Sequence, residues 1–370
     1  MPLTVLSDDD VKTLLQSLTS SEVSDLALAL GDALARMSCG SEGDYQPQRS
    51  VVKRPGGQVT LFMPATSEQS VGVKIVGIKP TADKPTTAGG DSKPQPALQS
   101  VLTICDSLGR AVGILNAAAL TAFRTALGSM LLYRSRQATR HIVVFGAGKQ
   151  ALWHLRLALV LRGEDIQKLT IVNRSKQRSL ELIESVQRLG CPPHISMEAL
   201  DRESIPESAL EDTVVSADVI FCTTPSTRPL FPASFLTSGR ARSKSRYISA
   251  IGSYRLDMAE IDPELLKAVV DPSGIFASQV WQGRVAVDSS DGCLHEAGEL
   301  VTAGLTRVQM LEVGQIYDDD DDDNLPGLRD WLRSGFVIYK SVGVGTMDIA
   351  IAEYLINLAR SRSVGLTAAF

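Results

Sequence analysis

The chain has 370 residues, 44% hydrophobic and 21% charged, which suits a globular protein of two ordinary domains and excludes a disordered or fibrous one. With 37 Lys and Arg against 42 Asp and Glu, the net charge of −5 offers a polyanion no global attraction, so no nucleic-acid partner is expected. Five scattered cysteines without C-x-x-C and four histidines without an i, i+4 pair imply a reduced chain with no disulfide framework and no metal site.

The opening MPLTVLSDDD lacks a basic segment followed by an apolar run, and no stretch reaches the about 20 apolar residues of a membrane span. The expectation is a cytoplasmic protein with no membrane partner. The first predicted elements are helices. Ser7 heads a Ser-Asp-Asp-Asp cap before VKTLLQSL. Ser20 and Ser21 precede EVSDLALALGDALARM, whose Val23, Leu26, Leu28, Leu30 and Leu34 make an apolar face, and Cys39-Gly40 ends the helix.

From Arg49 the pattern becomes β-like: RSVV, a Pro55-Gly56-Gly57 turn, QVTLFMP, then VGVKIVGI. Residues 80–97, rich in Pro, Gly, Thr and Lys, have the composition of a flexible hairpin insert. VLTICD and AVGILN, joined by Ser107-Leu108-Gly109-Arg110, resume the small sheet as a hairpin. An Ala-rich apolar helix over 117–134 leads into alternation: HIVVFG, a helix to about Leu161, KLTIVNR, a helix to about Leu189, ADVIFCTT and SRYISAIG. Such alternation predicts a parallel sheet with right-handed crossovers and helices on both faces.

Six consecutive aspartates at 318–323 read either as a cation clamp or as a self-repelling solvated loop. They lack alternating ligand spacing and a turn Gly, so the loop is expected. GFVIYKSVGVGTMDIAIAEYLINLARS finishes the chain as strand, Gly turn and amphipathic helix, with Ile349, Ala352, Leu355, Ile356 and Leu358 on the helix face.

The most specific motif is HIVVFGAGKQALWH, a G-x-G-x-x-A between strand and helix. Gly146 permits the tight turn, Gly148 lets the backbone approach a pyrophosphate, and Ala151 allows close helix–sheet packing. The helix N-terminus presents N–H groups to the phosphates, so Ala147, Lys149 and Gln150 join the candidate cofactor residues. The next strand ends in Asn173-Arg174-Ser175-Lys176, where an acidic residue would accept from the adenosine ribose. Arg174 can instead pair with a 2′-phosphate, with Asn173 and Ser175 donating to it, so NADP(H) is expected over NAD(H); the other use of Arg174 is surface solvation. Thr223, Thr224 and Ser226 can hydrogen-bond ribose or nicotinamide, or simply form a turn. Three further cations stand out: Arg49 opening a strand, Lys74 inside an apolar run, and Arg124 in LTAFRTAL. Each alone suits an ion pair; together they suit a carboxylate pocket.

The order QPQRSVV, FMPA, VGVKIVG, LTAFRTAL, VVFGAGKQA, IVNRS, ADVIFCTT, ISAIGSYRLDMAEID, HEAGEL and VIYKSVGVGTMD resembles the ornithine cyclodeaminase/mu-crystallin family, from about Leu6 to Arg360. The resemblance implies an α/β fold in which a Rossmann-type dinucleotide-binding domain is inserted into an α+β substrate and dimerisation domain. The expected boundaries are 1–119 for the first part, 120–335 for the NADP(H) domain and 336–370 for a strand and helix returning to the first. It also implies a homodimer, a substrate carboxylate held by Arg49, Lys74 and Arg124 with Met63 of FMPA beside them, and Thr125 near the cofactor phosphates.

Members of that family cyclodeaminate ornithine, reduce cyclic ketimines or dehydrogenate amino acids, all through an imine and hydride exchange. The ornithine-cyclising members carry an Asp where this chain has Tyr254, which removes the carboxylate base that deamination needs. Asp257 offers either a pocket carboxylate or a helix cap before MAEID. The expected activity is therefore NADPH-dependent reduction of a small carboxylate-bearing imine, with Lys74 the catalytic residue. Two alternatives stand beside it: an NAD-dependent ornithine cyclodeaminase, and a non-catalytic NADP(H)-dependent small-ligand binder of mu-crystallin type.

Overall fold

The computed structural model describes residues 2–78, 98–318 and 325–370. The hairpin insert expected over 80–97 and the aspartates at 319–323 lie outside the described residues; Asp318 is the last residue of a short helix, Val313–Asp318. The strands run in chain order β1 (Leu3–Leu6), β2 (Ser50–Lys53), β3 (Val59–Thr66), β4 (Ser70–Ile78), β5 (Leu98–Asp106), β6 (Ala111–Asn116), β7 (His141–Phe145), β8 (Lys168–Asn173), β9 (Ser196–Asp201), β10 (Val219–Cys222), β11 (Arg246–Ala250), β12 (Val285–Val287), β13 (Met310–Glu312), β14 (Phe336–Lys340) and β15 (Leu366–Ala368). Among the described residues no helix is long and apolar enough to cross a membrane.

The chain divides into two compact units, the second inserted between segments of the first. The first comprises Met1–Leu18, Gly40–Arg124 and Gly345–Phe370. Its seven-stranded sheet has the order β15-β1-β6-β5-β4-β3-β2 and is antiparallel except where β1 meets β6. Ser7 caps the helix Asp8–Gln16 through a reciprocal box with Asp10. The helix Gly345–Arg362 covers one sheet face with Ile349, Ile351, Ala352, Leu355 and Ile356. It lies close because β4 and β6 carry glycines beneath it. A Cβ on Gly72 would stand 3.4 Å from the Ile349 side chain, and one on Gly113 would stand 2.4 Å from Ile356 Cδ1.

The second unit comprises Thr19–Cys39 and Thr125–Val344. Its eight strands are all parallel, in the order β13-β12-β14-β11-β10-β7-β8-β9. The central strands read as continuous apolar runs because both faces are covered: β7, β10, β11 and β14 are buried from Ile142, Val219, Arg246 and Phe336 onward.

The units differ from the expected boundaries in two places. The helix Ser20–Ser38, expected within 1–119, belongs to the second unit. It packs there against Val313–Asp318 so closely that a Cβ on Gly314 would lie 2.1 Å from the Leu34 carbonyl oxygen. Its cap is Thr19, in a box with Glu22, rather than Ser20 or Ser21. The strand expected to return to the first domain at 336 is β14, which pairs with β11 and β12 and so belongs to the parallel sheet; only the helix from Gly345 goes back. Five strands escaped the sequence reading: β1, β9, β12, β13 and β15. Four of these have only three or four residues, too short to show any period, and β9 reads SMEALD, with no β-branched or aromatic residue to mark a strand.

Candidate active site

The first unit buries a compact charge cluster. Lys74 sits on β4, where alternation directs Ser70, Gly72, Lys74 and Val76 to the face under the last helix. An amine there is tolerated only with a partner. Asp348, in the first turn of that helix, supplies it: Lys74 Nζ donates to Asp348 Oδ2 at 2.6 Å, and Arg124 Nε donates to Oδ1 at 3.1 Å. Arg124 also donates to Met347 Sδ at 3.5 Å. All three ionised groups are nearly inaccessible, with Lys74 2%, Arg124 4% and Asp348 1% exposed.

Two buried cations share one carboxylate, and the half-buried Arg49 adds its field to them. Burial, then the repulsion of Arg124 and Arg49, pushes the Lys74 amine down to about 8 against the opposing pull of Asp348. Asp348 is raised by burial, but Arg124 and Lys74 outweigh that and hold it below the usual carboxylate range. The cluster thus keeps a surplus positive charge, suited to a small carboxylate, and an amine able to lose a proton near neutral pH. Met63 is the register partner of Lys74 on β3, so its side chain shares the face. The residue missed by sequence reading is Asp348. Its signal was an acid on the apolar face of TMDIAIAEYL, between Met347 and Ile351.

The second unit holds the glycine turn. Gly146 adopts φ +109° after β7, a conformation that L side chains rarely take, and its N–H donates to Val172 O at 2.9 Å. Ala151 is fully buried against the sheet. Gly148 opens the helix Lys149–Arg162 without a side-chain cap, and a Cβ there would meet nothing within 4 Å. Uncapped first-turn N–H groups facing open space fit a pyrophosphate. Gln150 Oε1 is buried without a hydrogen-bond partner among the described residues, and Lys149 is exposed beside it. The crevice lies where β8 and β10 flank β7, so that the strand order reverses there, the place where open α/β sheets bind ligands. Thr125 follows Arg124 on the same helix and is 7% exposed.

At the end of β8, Arg174 is exposed. Asn173 Nδ2 donates to Ser175 O at 3.0 Å, and the Ser175 hydroxyl accepts from Arg178 N as the cap of Lys176–Arg188, so both hold the turn as well as facing it. A carboxylate does stand at this level: Asp201 is the register partner of Asn173 on β9, with Oδ1 accepting from Glu203 N at 3.0 Å. After β10 each hydroxyl hydrogen is already donated, from Thr223 to Phe145 O at 2.8 Å, from Thr224 to Glu260 Oε1 at 3.1 Å and from Ser226 to Arg228 O at 2.5 Å. What these three still offer a ligand is oxygen lone pairs.

Tyr254 is 44% exposed, with Arg255 over its ring at 5.9 Å. Asp257 is neither buried nor a helix cap: it pairs with Arg255 at 2.9 Å on the surface, and Asp262 caps the next helix, Pro263–Val270.

A parallel, doubly covered sheet with a glycine turn at its point of reversal defines a Rossmann-type dinucleotide-binding unit. The chain belongs to the ornithine cyclodeaminase/mu-crystallin family, whose model matches residues 7–363. It is 26% identical to a Delta(1)-pyrroline-2-carboxylate reductase of Bacillus cereus, over 90% of this chain and 92% of that one. It is 25% identical to the ketimine reductase mu-crystallin of Macropus fuliginosus, over 88% and 89%. The iminosuccinate reductase of Paracoccus denitrificans, solved with NAD+, shares its fold with a TM-score of 0.73 at 21% identity, each chain covered completely.

Proposed function

We propose that this protein is a cytoplasmic, homodimeric NADPH-dependent reductase of a small carboxylate-bearing imine or cyclic ketimine. The observation that carries the reading is the buried Lys74–Asp348–Arg124 cluster with its surplus positive charge. Relatives named for pyrroline-2-carboxylate and ketimine reduction support it. Arg124 and Arg49 hold the substrate carboxylate, and Met63 packs against its carbon skeleton. Lys74 hydrogen-bonds the imine nitrogen and delivers its proton as general acid, while Asp348 fixes the direction of the amine. When bound, NADPH supplies the hydride for the imine carbon. The homodimer is supported by the outer face of the first unit's sheet, where Phe62, Val71 and Ile114 are 36%, 43% and 36% exposed.

The test is a panel of cyclic ketimine acids, imines formed from α-keto acids with amines, and ornithine, followed at the NADPH absorbance with ammonia monitored in parallel. NADPH consumption with a ketimine acid and no ammonia from ornithine is the expected result. Ammonia from ornithine without net cofactor consumption establishes a cyclodeaminase instead, and cofactor binding with no turnover establishes a binding protein. Coenzyme choice is tested by Arg174→Ala. Loss of a charged partner to the 2′-phosphate is expected to weaken NADPH binding about tenfold or more and leave NADH binding unchanged, read by cofactor fluorescence titration. Equal weakening of both would assign the choice elsewhere, with Asp201 the neighbouring candidate.

A further inference from the structure

We infer that Glu260 is a positioning residue of the dinucleotide site, a buried carboxylate that ties together the loops following β10 and β11 at the crevice. This rests on reading the second unit as a dinucleotide site. Glu260 is fully buried. Its Oε1 accepts from Thr224 N at 2.6 Å and from Thr224 Oγ1 at 3.1 Å, and its Oε2 accepts from Gly252 N at 2.6 Å. The two loops touch backbone to backbone, since a Cβ on Gly252 would fall 2.0 Å from Thr224 O. The loop after β10 in turn abuts the glycine turn: a Cβ on Gly146 would lie 2.7 Å from Thr223 Oγ1, which donates to Phe145 O. Three crevice loops are therefore in series, and one carboxylate bonds two of them. Moving either loop moves the wall against which a dinucleotide is seated.

The charged and titratable groups around Glu260 come from three elements. Lys340 of β14 donates to Ser253 O at 2.6 Å and lies 3.2 Å from Glu299 Oε1. Glu299, in the short helix Gly298–Thr302, accepts from Ser253 Oγ at 2.6 and 2.7 Å. The Cys222 thiol ends β10. Burial pushes Glu260 up to about 7, with Glu299 adding to the rise and Lys340 and the Thr224 and Gly252 N–H groups opposing it. Ionised, both oxygens accept from the loops. Protonated at Oε2, the acid turns a hydrogen toward the Gly252 N–H, which can only donate, and that tie weakens.

The experiment is NADP+ binding by calorimetry to the wild-type protein and to Glu260→Gln between pH 6 and 8. Glutamine keeps the size but turns an NH2 toward one loop's N–H. The dissociation constant of the variant is expected to exceed the wild-type value about tenfold at pH 8, with the ratio closing toward one at pH 6, where the wild-type acid has lost the same acceptor. Taking the ratio cancels the titration of the cofactor's own phosphate. A ratio near one at pH 8, or one constant across the range, overturns the inference. Wild-type protein that binds neither NADP+ nor NAD+ overturns the dinucleotide reading itself, which the wild-type titration shows before any variant is made. If Glu260→Gln does not fold, amide exchange in the wild-type protein decides. Protection of Thr224 and Gly252 lower at pH 6 than at pH 8, after correction for intrinsic rates, supports the inference, and equal protection overturns it.

Discussion

Replacing Lys74 by Met is expected to lower kcat for imine reduction by about 10²–10⁴-fold, the usual worth of a positioned general acid, with NADPH affinity unchanged. Methionine fills much of the same volume and leaves Asp348 paired with Arg124, so circular dichroism and thermal unfolding are expected to stay close to wild type. The wild-type pH profile should carry the same signature. Burial holds the amine near 8, and the protonated form is the one that donates, so reduction should be fast below that pH and decline as pH rises through it. In the oxidative direction the neutral amine is the required form, and the limb should reverse. A Lys74→Met enzyme with full turnover, or a high-pH limb unchanged by the substitution, would remove Lys74 from the chemistry. In that case the cluster would be a binding device alone.

Asp348→Asn should be the most damaging single change in the first unit. It leaves Lys74 and Arg124 as two like charges, both buried, with no carboxylate between them. Stripping one partner from a buried ion pair costs about 3–5 kcal/mol, which corresponds to a fall in Tm on the order of 10 °C. Added salt should restore little, because the pair lies beyond the reach of the ionic atmosphere. The variant also has a directional effect on the acid. Asp348 raises the Lys74 amine, so its removal should shift the high-pH limb of the profile below 8. Calorimetry and the pH profile of the surviving activity measure the two effects separately. An unchanged Tm together with an unchanged limb would mean that Asp348 bears neither on stability nor on the amine.

Much of the second unit could be read from local order in the chain. β7, the turn at Gly146 and Gly148 and the helix after it are contiguous, and each glycine's task is set by the backbone within a few residues of it. Arg174 and the hydroxyls after β10 were placed at strand ends for the same reason. Their hydrogen-bond partners were hidden, because Thr224 is held by Glu260 and Thr223 by Phe145, 36 and 78 residues away. The helix Ser20–Ser38 was recognised as a helix but assigned to the wrong unit. Its apolar face says that it packs and not against what, and the glycine that admits it is Gly314.

The candidate site divides along the same line. The apolar run around Lys74 and the family motifs singled out a lysine and arginines of the first unit as a candidate anion pocket, and the glycine turn as a candidate dinucleotide site. The carboxylate that makes those cations tolerable was decided by folding. Asp348 is 274 residues from Lys74 in the chain and joins it only because the last helix returns to the sheet, over Gly72 and Gly113. Glu260 likewise showed in the sequence as one acid in a loop. A buried charge is defined by its partner and its loss of water, and neither is a property of the residue itself or its neighbours in sequence.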